Sequence, residues 1–234
     1  MDADIPSAAN PAGSTAAPLS ALAARVLGCL IEKEFATPDV YPLTLNALVN
    51  ACNQKNNRDP VMSVTSREVE IALEELRLQK LAVVFAGADA RVAKYKQKID
   101  AVYPMQPDAR AMMGELLLRG AQTAAGLRGN AERLCAMPDV AEIETILIEL
   151  AGRPSGALVR KLARQPGQKE ARWVQLLTGE PSGAIEAASA AAPLTVTMTL
   201  PPEVEARFAA LEGEVRGLKD ELARLRASLG EPGA

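Results

Sequence analysis

The sequence predicts a mainly α-helical protein with small β-hairpins, built from one helical module used twice and followed by a C-terminal coiled-coil helix. Three observations predict it. First, VLGCLIEKEFAT (Val26 to Thr37) recurs as MMGELLLRGAQT (Met112 to Thr123), with Gly28 on Gly114, Leu30 on Leu116, Ile31 on Leu117, Lys33 on Arg119 and Thr37 on Thr123, at an offset of about 86. Downstream, Val69, Ala72, Leu73 and Leu76 have the spacing of Ile143, Ile146, Leu147 and Leu150, at an offset of about 74. Second, each copy reads helix, helix, helix, hairpin. Third, Val204, Phe208, Leu211, Val215, Leu218, Leu222, Leu225 and Leu229 alternate spacings of 4 and 3, which is a heptad seam.

In the first copy, Ser20 is a candidate N-cap. Leu22, Val26, Cys29 and Leu30 then form the stripe of an amphipathic helix that ends before Pro38. A second helix is read over Leu43 to Asn53, followed by a polar loop, Gln54 to Pro60. The third begins after Thr65 or Ser66, with Thr65 and Glu68 as a capping box, and runs to about Lys80. LAVVF, AGADA and RVAKYKQ then read as strand, turn and returning strand. The second copy repeats the order: helices around Asp108–Arg119 and Thr123–Leu134, a third from Pro138 at the first helical position to Leu150, then ALVRKLAR and EARWVQL as hairpin strands around QPGQK. Three short helices closed by a hairpin are the winged-helix form of helix-turn-helix. An unspecialised three-helix domain is the blander reading of the same pattern.

The expected organisation is a disordered arm over 1–18, a first winged-helix domain over 19–102, a second over 103–180, a flexible linker over 181–202 and a coiled-coil helix over 203–230. The Pro-containing joint Tyr103–Pro107 predicts a fairly fixed orientation between the modules. In a parallel pair of tails, Arg207 would face Glu212, Glu214 would face Lys219 and Glu221 would face Arg226, all opposite in sign. A homodimer is therefore expected, against a lone amphipathic helix packed on the body. Gly213 and Gly217 each weaken that helix by about 1 kcal/mol relative to Ala.

Composition narrows the chemistry. The chain of 234 residues has 48% hydrophobic residues but only 3% aromatic, so the cores are aliphatic. No apolar run reaches 18 residues and no secretory signal is read at the N-terminus, so no membrane association and a cytoplasmic location are expected. There is no histidine, which removes histidine bases, triads and histidine-bearing zinc sites. Cys29, Cys52 and Cys135 show no paired spacing and read as reduced structural thiols. No phosphate-binding loop, GxGxxG or GxSxG occurs, so neither an enzyme nor a cofactor is expected. Residues 19–100 and 101–180 each carry a net charge of +1, so nucleic-acid binding has to rest on local patches.

Two patches are candidates. The first copy has about 12 residues more than the second between its first and third helices, including the polar stretch Cys52 to Met62. There Asn53, Gln54, Asn56 and Asn57 offer donors and acceptors, and Lys55 and Arg58 offer positive charge, a set suited to phosphate or base edges. Ordinary turns and caps are the structural reading of these residues. The second hairpin carries Arg160, Lys161, Arg164, Lys169 and Arg172 against Glu170, a local charge of +4 in 13 residues. A basic wing suits a DNA backbone, and a solvated hairpin is the alternative. Trp173, within it, reads as core. Against DNA stand the third helices: Glu68, Glu70, Glu74 and Glu75 in the first, and Asp139, Glu142, Glu144 and Glu149 in the second, repel phosphate.

VLGCLIEKEFATPDVYPLTLNALVNACNQKNNRDPV, LLLRGAQT and LARQPGQKEARW, in that order, resemble the YceH-like family of uncharacterised bacterial proteins over roughly Leu19 to Glu180. The resemblance implies a tandem winged-helix protein and no established activity. The family's NQKxNRxP pattern falls on Asn53, Gln54, Lys55, Asn57, Arg58 and Pro60, and its RGAQT on Arg119 to Thr123. The expected function is a dimeric regulator that binds double-stranded DNA. The alternative is an adaptor that binds another protein through its acidic third helices.

Overall fold

The computed structural model describes residues 17–85, 92–164, 167–181 and 217, and shows a mainly helical chain with small antiparallel sheets. All described residues up to Pro181 fall in one compact unit, Met1–Ala190; a second unit, Ala191–Ala234, contributes only Gly217. The expected coiled-coil seam from Val204 to Leu229, the linker, most of the N-terminal arm and the AGADA turn lie outside the described residues.

Helix α1 spans Ala21–Ala36, and Ser20 caps it by accepting from the Ala23 amide. A 3-10 turn at Pro38–Val40 leads to β1, Leu43–Thr44. Helix α2 is Leu45–Cys52, later in starting than expected because Leu43 and Thr44 are drawn into a sheet and Thr44 becomes the cap. Helix α3 is Ser66–Leu78, and both halves of the Thr65–Glu68 capping box are present. Strands β2, Ala82–Phe85, and β3, Lys94–Gln97, complete a sheet of order β1-β3-β2. A one-turn helix α4, Ile99–Val102, precedes the joint.

The second repeat has α5 at Pro107–Arg119, α6 at Ala124–Ala131 and α7 at Val140–Ala151. Strands β4, Val159–Lys161, and β5, Trp173–Gln175, pair antiparallel. A single bridge from Gln122 to Trp173 occupies the place that β1 holds against β3. Pro138 is not the first helical residue: Asp139 caps α7, accepting from the Glu142 amide, so the proline stands outside the helix. Thr123 caps α6 as Thr44 caps α2, whereas Thr37 ends α1. Structurally, then, Thr123 corresponds to Thr44 and not to Thr37. The extra length of the first repeat is divided, part before α2 and part after it.

The apolar stripe expected for α1 understates its burial. Every residue from Ala23 to Glu32 is buried, as is every residue of α5 from Ala111 to Leu118. The cause is that α1 and α5 pack on each other as well as on their own repeats. Their crossing is built on the glycines of the sequence repeat. A Cβ on Gly114 would stand 2.8 Å from Ile31 Cγ2, and one on Gly28 would stand 2.9 Å from Leu118 Cγ and 3.1 Å from Leu117 Cβ. Ile31 and Leu117 are themselves the matched residues of the two copies, so each copy's glycine receives the other copy's side chain. Two aliphatic clusters flank this crossing, and Phe35, Tyr103, Met105 and Leu177 pack against both. Trp173 is buried in the second cluster.

Candidate functional site: a polar cleft where the repeats meet

The loop after α2 is folded back onto the α1–α5 crossing. Asn53 closes its base with two bonds: its Nδ2 donates to the Val64 carbonyl at 2.9 Å, and its Oδ1 accepts from the Val64 amide at 2.7 Å. At the far side the Asp59 amide donates to the Leu118 carbonyl at 2.9 Å. Asn57 adopts φ 57°, a left-handed conformation that asparagine tolerates better than most residues. This turn aims Arg58 inward.

Arg58 therefore does not have the surface role expected for it. Its side chain is 0% exposed and forms a two-pronged pair with Glu32, Nη2 to Oε2 at 2.7 Å and Nη1 to Oε1 at 3.3 Å. Nε donates to the Ala51 carbonyl, Nη1 also to the Asn57 carbonyl, and Nη2 also to Gln54 Oε1. All five guanidinium donors are committed inside the protein, leaving none for a phosphate. Gln54 Oε1 also accepts from Lys33 Nζ at 3.3 Å. Of the predicted loop residues, Asn53, Gln54, Asn57 and Arg58 thus build the loop; Lys55 is exposed.

Glu32 is shared with the second repeat. Arg133 Nη2 donates to Glu32 Oε1 at 2.7 Å and to Glu115 Oε1 at 2.6 Å. Asn57 Nδ2 donates to the same two oxygens at 3.3 and 3.2 Å. Burial opposes the charge on Glu32, but the Arg58 and Arg133 guanidinia outweigh it and hold the carboxyl at about 2, below its ordinary 4.5. Glu115 goes the other way: burial raises its pKa against the pull of Arg133, and its Oε2 has no partner among the described residues. Two carboxyls beside one arginine are thus set apart by how many cations each touches. The sequence contained a signal for both. A glutamate within the apolar runs LGCLIEKEF and MMGELLL has to be paired once its helix is buried on all sides.

Beside this network lies a cleft of about 410 Å³, lined by Asn57, Arg58 and Asp59 from the loop, Arg119 at the end of α5, Ala121, Gln122 and Thr123 just after it, Gly126 and Asn130 on α6, and Arg172 from the second hairpin. Ala121 and Gly126 are its only lining residues without a polar side chain. The two sequence motifs, NQKxNRxP and RGAQT, meet here. Arg119 Nη1 donates to Asn57 Oδ1 at 3.1 Å. Gln122 Nε2 donates to the Glu115 carbonyl at 3.1 Å, and its Oε1 accepts from Asn130 Nδ2 at 2.7 Å. Thr123 Oγ1 accepts from the Gly126 amide at 3.0 Å, setting the first turn of α6 at the cleft edge.

The second hairpin does not present its five cations together. Arg160 pairs with Glu180, and Lys161 binds Glu144 Oε2 at 2.8 Å while lying 5.2 Å from the Trp173 ring centre. Arg164 and Lys169 are exposed, and Arg172 turns to the cleft. The first hairpin has the simpler basic face. Lys94 lies opposite Phe85 and Lys96 opposite Val83, so these four share one face of the sheet. Phe85 is 52% exposed and Val83 37%, and Lys98 follows, also exposed. None of the three lysines has an ion pair among the described residues. Their every-second-residue spacing was the signal available in KYKQK.

Among the described residues, no helix is long and apolar enough to cross a membrane. The model of a family described as a protein of unknown function, DUF480, matches residues 19–168, which takes in the first repeat and the second as far as β4. A UPF0502 protein of Citrifermentans bemidjiense is 44% identical over 199 residues, 85% of each chain. One from Pelobacter propionicus is 48% identical over 205 residues, 87% of this chain and 91% of its own. The UPF0502 protein YceH of Escherichia fergusonii is 40% identical over 217 residues, 91% of this chain and 98% of its own. On this similarity the chain belongs to the UPF0502, or YceH-like, family of bacterial proteins of unknown function.

Proposed function

We propose that the chain is a tandem winged-helix protein that binds double-stranded DNA by its backbone, gripping it with the first hairpin, and acts as a dimeric regulator through its C-terminal helix. The observation that carries this reading is the unneutralised lysine face of β3. Lys94 and Lys96 project from one sheet face beside Val83 and Phe85, with Lys98 next to them. The repeated order of three helices and a hairpin supports the winged-helix assignment. The third helices are not the reading heads. On α3, Arg77 pairs with Glu74 at 2.6 Å, Arg67 lies 4.0 Å from Glu70, and the outward acids Glu70 and Glu74 repel phosphate. Backbone contact without base reading gives weak sequence preference and a strong salt dependence. The test is fluorescence anisotropy of a labelled duplex across a salt series. Saturable binding that weakens steeply with salt supports the reading, and no binding at low salt removes it.

A second reading, an adaptor for a protein partner, is favoured by one observation. Ile71 and Leu78 on the outer face of α3 are 59% and 76% exposed, beside Glu70 and Glu74. Apolar residues ringed by acids suit a protein surface better than a phosphate backbone.

A further inference from the structure

We propose that the cleft between the repeats binds a small molecule carrying a phosphate monoester and a hydroxyl group. The cleft brings together two arginines from separate elements, Arg119 at the end of α5 and Arg172 from the second hairpin. Neither forms an ion pair among the described residues. Arg119 spends one donor on Asn57 and keeps the rest; the Arg172 guanidinium has no bond among the described residues. Two guanidinia facing one space repel each other unless an anion lies between them, and their planar forks match phosphate oxygens.

The remaining lining defines the other end of the ligand. The Asp59 carboxylate and the carbonyl oxygen of Asn130, whose amide is occupied by Gln122, can accept from a hydroxyl. At about 410 Å³ the space suits a small molecule. Its position gives binding a consequence. Asn57, Arg58 and Asp59 come from the first repeat, and Arg119, Gln122 and Arg172 from the second, so an occupant ties the two together. This inference stands independently of the DNA reading.

The test is thermal unfolding of the full chain in potassium phosphate against potassium chloride at equal ionic strength, which separates binding from general salt effects. Saturable stabilisation is expected, of about 3–6 °C at ten times the dissociation constant. Arg172→Gln should abolish it, and without phosphate should melt no lower than the parent, because the substitution removes a repulsion with Arg119 and no side-chain bond among the described residues. Arg119→Gln should also abolish it, and Arg164→Gln, exposed on the same hairpin but outside the cleft, should leave it intact. Loss of the phosphate effect in both cleft variants only would sustain the proposal. An unsaturable effect, no effect, or one retained in Arg172→Gln would overturn it. So would duplex DNA stabilising the parent but not Arg172→Gln while phosphate does nothing, because the cleft would then be a backbone contact.

Discussion

Glu32 joins the two repeats by pairing with Arg58 and Arg133. It is the acid that lets Arg58 be buried, and removing one partner of such a pair strands the other charge. Glu32→Gln should therefore cost roughly 3–5 kcal/mol in a denaturant titration. Glu115→Gln should cost far less, because burial already disfavours its charge and Arg133 keeps Glu32. The pH dependence has a definite sign. A carboxyl with a lowered folded pKa contributes stability that is complete above its unfolded value of 4.5 and is lost as pH falls towards about 2. Glu115, with a raised pKa, works in the opposite direction. Melting temperature should thus fall across that window in the parent, and Glu32→Gln should flatten that limb. Asn53→Ala offers a check on the loop: losing both bonds to Val64 should cost about 2 kcal/mol and leave α3 intact. None of these pairings was visible in the sequence. A loop of amides and cations has the same composition whether it faces solvent or a helix. What distinguishes the two is Glu32, 26 residues from Arg58, and Arg133, 101 residues from Glu32.

At the scale of elements, local rules carried further. Ser20, Thr65 with Glu68, and the proline that follows α1 act within a few residues, and their effects are read directly from the chain. Where a distant strand intervened, local reading failed, as with Leu43 and Thr44, which pair with Tyr95 and Lys94 instead of beginning α2. The repeated glycine was legible as a motif, but its reason lies in the other copy. Gly114→Ala is the sharpest test of that crossing. Ile31 is β-branched within a helix and has little rotamer freedom to retreat from a new methyl 2.8 Å away. The overpacking penalty of about 1–3 kcal/mol should exceed the gain of about 1 kcal/mol in helix propensity, so the variant should melt below the parent. An unchanged or higher melting temperature would mean that the helices are free to separate.

For the whole molecule, the sequence shows a mainly helical chain with small hairpins, and the two conspicuous motifs converge at one cleft. Charge summed along the chain does not show which cations are paired in the fold. Pairing with Glu180 and Glu144 engages Arg160 and Lys161, whereas alternation on β3 sets the half-buried Lys94 and Lys96 on one face, with the exposed Lys98 just after the strand and no ion pair to any of the three among the described residues. The heptad seam predicts a self-associating chain; Leu218→Glu should convert a dimer to a monomer in sedimentation equilibrium. The claim that DNA is held by the first hairpin is tested most directly by the salt dependence of binding in Lys94→Glu/Lys96→Glu. The account predicts weaker binding and a log–log salt slope shallower by about 2 than in the parent, with a smaller change in Arg160→Glu/Lys161→Glu. A parent that binds and a Lys94→Glu/Lys96→Glu variant with the same affinity and slope would contradict it.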